Sequence, residues 1–448
     1  MRANPLLPAV VVLAALGGAV WYTSENPPPA GDDSPTIVKV EEDSIQEVTV
    51  TRAGHDTITV VRGEDGEWGF GGAIDIPADS SSIGFMITSL AALNADRVVS
   101  ENVVEWSPYE LDNPPLQVNY KLKEGEGGEV WFGKNTPTGS GVFARLKDDP
   151  RLFTIYSYNK TSFEKELFDL RDKNMMRVDE DKISGVTVTA DSNVIEFGKS
   201  GDDWQILKPR PLRGDNFTIS DLVRAARTAE MTSVLDEAET AGDYNFHSPL
   251  AQVEIVDDAG SHELTVAKDG DTYYAKSSDQ TGVYEVSSTL AESFDKPVGE
   301  FRNKKIFNFG FADPAKVEVR DGSSTVVITK TDDKWLLTSD GDRELAGEKV
   351  QTLLDGLRNL TATEFPSDDA GDQARYGLTK PVISAEVTPS DDGTEPEKVI
   401  VSSPQAERVY AARVGEPTTY EVEKAPAQDI QRAIEDILKP AEQEPSAN

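Results

Sequence analysis

Three tryptophans set the terms on which this chain can fold. Trp68, Trp204 and Trp335 lie 136 and 131 residues apart, and each follows a Gly/Asp-rich turn: Gly63-Glu64-Asp65-Gly66, Gly201-Asp202-Asp203 and Asp332-Asp333-Lys334. Such a turn before an extended run predicts a β-hairpin. Counted from each tryptophan, offset 15 holds Ile83, Ile219 and Val350, and offset 18 holds Met86, Leu222 and Leu353. Offset 19 holds Ile87, Val223 and Leu354, and offset 22 holds Leu90, Ala226 and Leu357. Offsets 15, 18, 19 and 22 trace one face of an α-helix, so each repeat is expected to pack an amphipathic helix on a sheet.

The register survives past the helix. Leu93, Ala229 and Leu360 share offset 25; Tyr109, Tyr244 and Tyr376 follow, with Pro114, Pro249 and Pro381 five residues beyond each. After each proline the residues alternate as strands do, as in Leu116-Gln117-Val118-Asn119-Tyr120 and Val253-Glu254-Ile255. Further strands are predicted at Glu129 to Phe132, Leu264 to Ala267 and Val399 to Val401, then at Val142 to Leu146, Thr272 to Lys276 and Val409 to Arg413. Copies one and two close on Leu170-Arg171-Asp172-Lys173 and Phe301-Arg302-Asn303-Lys304, whereas copy three closes on a helix carrying Ile430, Ile434, Ile437 and Leu438 at helical spacing. The fold class is therefore α+β: three tandem β-rich repeats at 45–178, 179–310 and 311–440, each a sheet with a packed amphipathic helix, and a disordered tail at 441–448.

The ordered pattern of tryptophan hairpin, helix, Tyr-Gly-Leu-x-x-Pro and closing Leu-Arg-Asp-Lys resembles the bacterial domain-of-unknown-function family numbered 4340, over essentially all of residues 45 to 440. Copy two departs from it with Phe246 and His247 inside the motif, and copy three lacks the closing Arg-Asp-Lys. The resemblance attaches no activity. It implies a single-anchor envelope protein associated with ABC-type transport systems related to gliding-motility transporters.

Leu6 to Tyr22 carries no charge and ends in an aromatic pair. At ~1.5 Å rise per residue it spans roughly 26 Å, near the lower limit for a bilayer. Arg2 precedes it and Glu25, Asp32 and Asp33 follow, so the positive-inside rule places the N-terminus in the cytoplasm and the rest outside. Residues 1–24 are thus expected to form a single-pass inner-membrane anchor, and 25–44, with Pro27-Pro28-Pro29, a stiff linker to a periplasmic body. A cleaved signal peptide is the competing reading, since Gly17, Gly18 and Ala19 suit a peptidase. Both readings export the repeats.

Chemistry is sparse. Cysteine is absent, which removes disulfides, thiolate nucleophiles and a lipid-accepting cysteine. Eighty acidic against 44 basic residues give a net charge of −36, a poor match to nucleic acid. His55 and His262 sit in strand-like segments and His247 in the Tyr-Pro motif; scattered over different repeats, they read as structural or surface residues. Gly198-Lys199-Ser200 reads as a hairpin turn, because Asn193 stands where a phosphate loop needs glycine. Gly125-Glu126-Gly127-Gly128 joins two strands without the helix a dinucleotide site requires. Asp179-Glu180-Asp181 lacks the glycine and closing glutamate of a calcium loop.

The sequence singles out no catalytic, cofactor or metal residue. Its expected function is a noncatalytic, membrane-anchored binding or scaffold subunit auxiliary to an ABC-type system, with the permease or other envelope proteins as partners. The alternative is an envelope hydrolase using an unrecognised carboxylate pair. Repetition favours the first, because a catalytic set is usually elaborated in one copy and no copy stands out in clustered polar aromatic or histidine content.

Overall fold

The computed structural model describes residues 35–440, apart from 73, 138, 192, 236–241, 392–393 and 406–407. The anchor expected at Leu6 to Tyr22 and the tail expected at 441–448 lie outside the described residues. Among the described residues no helix is long and apolar enough to cross a membrane. Of the expected linker at 25–44, residues 35–44 are described; there Ile37 and Val38 are buried in the first core and both N–H groups donate to Leu93 O, so this stretch packs on repeat 1 and is not a free spacer.

The first sheet contains β1 (Ile45–Arg52), β2 (Ile58–Arg62), β3 (Trp68–Phe70), β4 (Arg97–Ser100), β5 (Leu116–Leu122), β6 (Gly128–Asn135), β7 (Gly141–Leu146) and β8 (Leu152–Tyr156). Their order is β3-β2-β1-β5-β6-β7-β8-β4, antiparallel throughout. β3 and β4 sit at opposite edges, so the chain between them must cross the sheet, and helix α1 (Ser80–Ala91) makes that crossing. The second and third sheets keep this order and add one short edge strand each, Leu212–Arg213 and Arg343–Leu345, paired with the tryptophan strand. Their crossing helices are α2 (Asn216–Arg227) and α3 (Gly347–Arg358); α4 (Lys424–Leu438) closes the third repeat.

The chain divides into two compact units: Met1–Asn174 with Glu230–Ala241 and Val283–Glu285, and Met175–Ala229 with Gly242–Gly282 and Val286–Asn448. The first repeat's sheet lies in the first unit and the third repeat's in the second.

The helix periodicity holds at every position named. Ile83, Met86, Ile87 and Leu90 of α1 are buried, as are their counterparts on α2 and α3. The three tryptophans are buried as well. In two repeats the residue twelve positions on secures the tryptophan strand to its helix: Trp68 N–H donates to Ser80 Oγ at 3.2 Å and Trp204 N–H to Asn216 Oδ1 at 2.7 Å. Asp79 and Asp215 cap those helices through backbone N–H groups of the first turn. The third repeat has Ala346 and Gly347 at these places and lacks both devices. On α4, Ile430, Ile434 and Ile437 are buried while Leu438 is partly exposed.

His55 departs from expectation. It lies in the turn between β1 and β2, where the chain reverses, and not in a strand. Gly198-Lys199-Ser200, expected as a hairpin turn, is the end of the strand Asn193–Ser200, and the turn follows at Gly201, whose φ of 62° suits glycine.

Candidate functional site

One face of each sheet packs its helix; the other is covered locally by the Tyr-Pro motif. Tyr109 meets Phe143 with ring centroids 5.0 Å apart, Tyr244 meets Tyr274 at 4.4 Å, and Tyr376 meets Tyr410 at 4.8 Å. The residue after each tyrosine is left-handed: Glu110 (φ 56°), Asn245 (φ 61°) and Gly377 (φ 75°), which explains the glycine of the Tyr-Gly-Leu pattern. The motif passes so close to β6 that a Cβ on Gly133 would lie 2.1 Å from Tyr109 O. Ala267 and Ser402, also small, follow the equivalent strand residues Val266 and Val401. The motif is therefore architecture in all three repeats.

The closing arginines are architecture too. Arg171 sits 5.3 Å over the ring of Tyr284. Arg302 sits 3.8 Å over Phe365, with Nη1 and Nη2 reaching Asp368 at 3.1 and 2.6 Å and Nη2 reaching Thr418 Oγ1 at 3.3 Å. Each repeat's last arginine thus docks on residues of the next repeat. Copy three has no successor among the described residues, and α4 stands where the arginine segment would run.

The repeats differ at one corner, where the end of the first strand faces the segment leading to the closing arginine. Arg52, Ala190 and Asp321 are equivalent there, lying opposite Leu116, Ala251 and Ile383, each two residues past a motif proline. In repeat 1, Arg52 pairs with Glu166 at 2.7 Å, and His55 approaches the same carboxylate at 3.2 Å. The Arg52 hydrogen bond holds the Glu166 carboxyl below its usual range, with burial acting the other way. In repeat 3, Gln431 Nε2 on α4 donates to Asp321 Oδ1 at 3.0 Å. In repeat 2 the places of Arg52 and Glu166 fall to Ala190 and Pro297, neither of which has a side chain that can form a polar bridge.

A cleft of about 680 Å³ opens at that corner of repeat 2, within the size range of small-molecule sites. Val188, Ala190, Ile195, Pro209, Pro297 and Val298 supply apolar walls, and Val194, 41% exposed, stands at its mouth. Asp191, Lys208, Asp295 and Lys296 also line it, with charges that cancel, as does the neutral Asn193. The site can therefore hold an apolar body and does not select a bare ion. None of these residues was singled out from the sequence as part of a binding site. The available signal was the change from Arg52 to Ala190 to Asp321 once the repeats are aligned by strand register.

The histidines form no common site. His247 is exposed beside Asp243, with Nδ1 2.6 Å from Oδ2. His262 is largely buried between two carboxylates, with Nδ1 2.8 Å from Asp279 and Nε2 3.3 Å from Asp257. Burial alone would lower its pKa, but the hydrogen bonds and charges of Asp279 and Asp257 outweigh that and raise it. Backbone hydrogen bonds, led by that of Asp179, keep the Asp257 carboxyl below its usual range. Arg177 N–H and Asp179 N–H donate to Asp279 and Asp257 at 2.6 and 3.0 Å, so the cluster pins the start of repeat 2. Among the described residues no group of His, Asp and Glu has an arrangement that could hold a metal ion.

The sequence pattern of a domain of unknown function, DUF4340, matches the chain at residues 68–209, 204–365 and 335–445. The chain belongs to the DUF4340 family. The DUF4340 matches begin at Trp68, Trp204 and Trp335, and the first two run on into the following repeat, so the DUF4340 period is offset from the sheets by two strands. No curated protein matches the chain.

Proposed function

We propose that this DUF4340 protein is a noncatalytic binding subunit of the bacterial envelope. In this reading Leu6 to Tyr22 holds it at the inner membrane, the repeats stand outside the cytoplasm, and it serves an ABC-type transport system as an auxiliary part. The observation that carries the binding role is the corner bridged in repeats 1 and 3 and open in repeat 2. A fold that closes this corner by two different polar bridges has no packing need to leave it open. An apolar cleft with a charge-balanced rim suits capture of an apolar group of a small molecule or a partner segment.

The test is photo-crosslinking in cells from position 194 at the cleft mouth. Adducts containing a permease or an associated envelope subunit are expected. They should weaken when residues 1–24 are replaced by a cleavable signal sequence, which removes the tether and its effective concentration. If the released soluble form gives full function, or repeated experiments return no transporter component, the auxiliary role is wrong and a free periplasmic binding protein replaces it.

A further inference from the structure

The helix-free face of repeat 1 holds an arginine between two indoles, where repeat 2 has a lysine, Lys276, 4.2 Å over the single ring of Phe246. Trp131 on β6 lies directly opposite Arg145 on β7, and Trp106 arrives from the segment before the Tyr-Pro motif. The Arg145 guanidinium carbon lies over both indoles, 4.0 Å from the centroid of Trp106 and 4.3 Å from that of Trp131. Arg145 is only 9% exposed. Its Nε is sealed from solvent without a hydrogen-bond partner, and among the described residues the carboxylate that acts on the guanidinium, Asp148, makes no ion pair with it. Trp131 is itself held, because its Nε1–H donates to Glu129 Oε1 at 2.6 Å and Lys147 pairs with Glu129 at 2.9 Å.

A buried cation whose Nε–H has no acceptor is costly, and two cation–π contacts and the charge of Asp148 offset only part of that. The fold does not require a cation here. The equivalent pair is Thr265 and Lys276 in repeat 2, and Ile400 and Ala412 in repeat 3, where Ala412 packs with Leu378 and Tyr410 in an apolar cluster. Repeat 3 thus shows that apolar side chains fill the position.

We propose that Arg145, Trp106 and Trp131 form a carboxylate-recognition site on repeat 1, separate from the cleft of repeat 2. The indoles cover the guanidinium plane and Nε is sealed, so the donors left are the two Nη groups at its end, in one plane. Such a pair is matched by two coplanar oxygens, the geometry of a bidentate carboxylate. On a chain of net charge −36 with Asp148 close to the guanidinium, long-range attraction does not draw the anion in. Recognition rests on the local fork and survives moderate salt.

The test titrates the full chain with N-acetylglutamate, followed by tryptophan fluorescence, with inorganic phosphate in a parallel arm. Saturable quenching is expected for the carboxylate, weakened at least tenfold in Arg145→Lys, which keeps charge but loses the fork, and absent in Arg145→Met. Without ligand, Arg145→Met should melt no lower than the parent, because an apolar chain of similar length removes a cation that its surroundings compensate only in part. Unchanged binding in Arg145→Met, equal or tighter binding of phosphate, or no saturable signal in the parent overturns the proposal. A large loss of stability in Arg145→Met does so too, by making the arginine a structural pin.

Discussion

Arg302 offers the sharpest test of how consecutive repeats are joined. Its side chain is 8% exposed and that of Asp368 17%, so both charges are largely withdrawn from water and paired in a two-pronged geometry. Truncation to alanine removes the contact with Phe365 and leaves Asp368 with Thr418 Oγ1, at 2.9 Å, as its remaining side-chain donor. Breaking one partner of such a pair costs about 3–5 kcal/mol, because an unpaired buried charge remains. At ~2–4 °C per kcal/mol for a cooperative unit of 150–250 residues, the transition carrying repeats 2 and 3 should fall by roughly 6–20 °C. The segment after Arg302 has other anchors: Arg213 Nη1 reaches Lys305 O at 2.8 Å and Arg413 Nη1 reaches Ile306 O at 2.6 Å. The repeats should therefore stay folded while their melting separates into two calorimetric steps. A double-mutant cycle with Asp368→Ala should return a coupling of about 1.5–3 kcal/mol, the range for a charge-assisted hydrogen bond. A single unshifted transition in Arg302→Ala, or a coupling near zero, would refute the idea that the closing arginine locks each repeat to its successor.

Trp204→Ala removes a buried indole from the junction of hairpin and α2 and should cost about 3–5 kcal/mol, measured by urea unfolding; an unchanged midpoint would put that ring in solvent. Stability should depend on pH through His262: its folded pKa is raised, so the contribution is fully present below the ordinary imidazole value of about 6.5 and is lost as pH climbs through the folded value. Thermal melts between pH 5 and 9 should show that loss in the parent and not in His262→Gln, and matching profiles would dismiss the ion pairs. Protease added to spheroplasts should digest the chain after residue 36 and spare the anchor; full resistance would place the repeats in the cytoplasm.

Sequence and structure agree where burial acts with a fixed period. Ile83, Ile219 and Val350 could be aligned because a helix exposes any slip of one residue, and the strands past Pro114, Pro249 and Pro381 because alternation does the same. The closing Leu-Arg-Asp-Lys was visible as a motif, but its purpose was not, since Arg302 meets Phe365 and Asp368 only through long-range packing. His55 was misplaced because the strand-like alternation of residues 48–51 and 58–60 was carried across the short turn between them, which Gly54, with φ 78°, marks. The cleft was invisible for a different reason. It arises from what Ala190 and Pro297 lack, and a missing bridge has no signature until the strand register shows which residues correspond. Trp106 and Trp131 were legible as tryptophans without partners in the other copies, but their meeting at Arg145 depends on cross-strand pairing.

The central claim is that the open corner of repeat 2 is a binding site. Its most direct test is equilibrium binding of an uncharged apolar fluorophore, N-phenyl-1-naphthylamine, to the full chain and to the double variant Ala190→Arg/Pro297→Glu. That variant installs in repeat 2 the pair that closes repeat 1, in which the arginine is 11% and the glutamate 55% exposed, and a pair open to water on its carboxylate side should change stability by about 1 kcal/mol. The parent should bind one equivalent saturably, and the variant should lose that site while melting within a few degrees of the parent. Equal binding to both proteins, or none to either, would contradict the account.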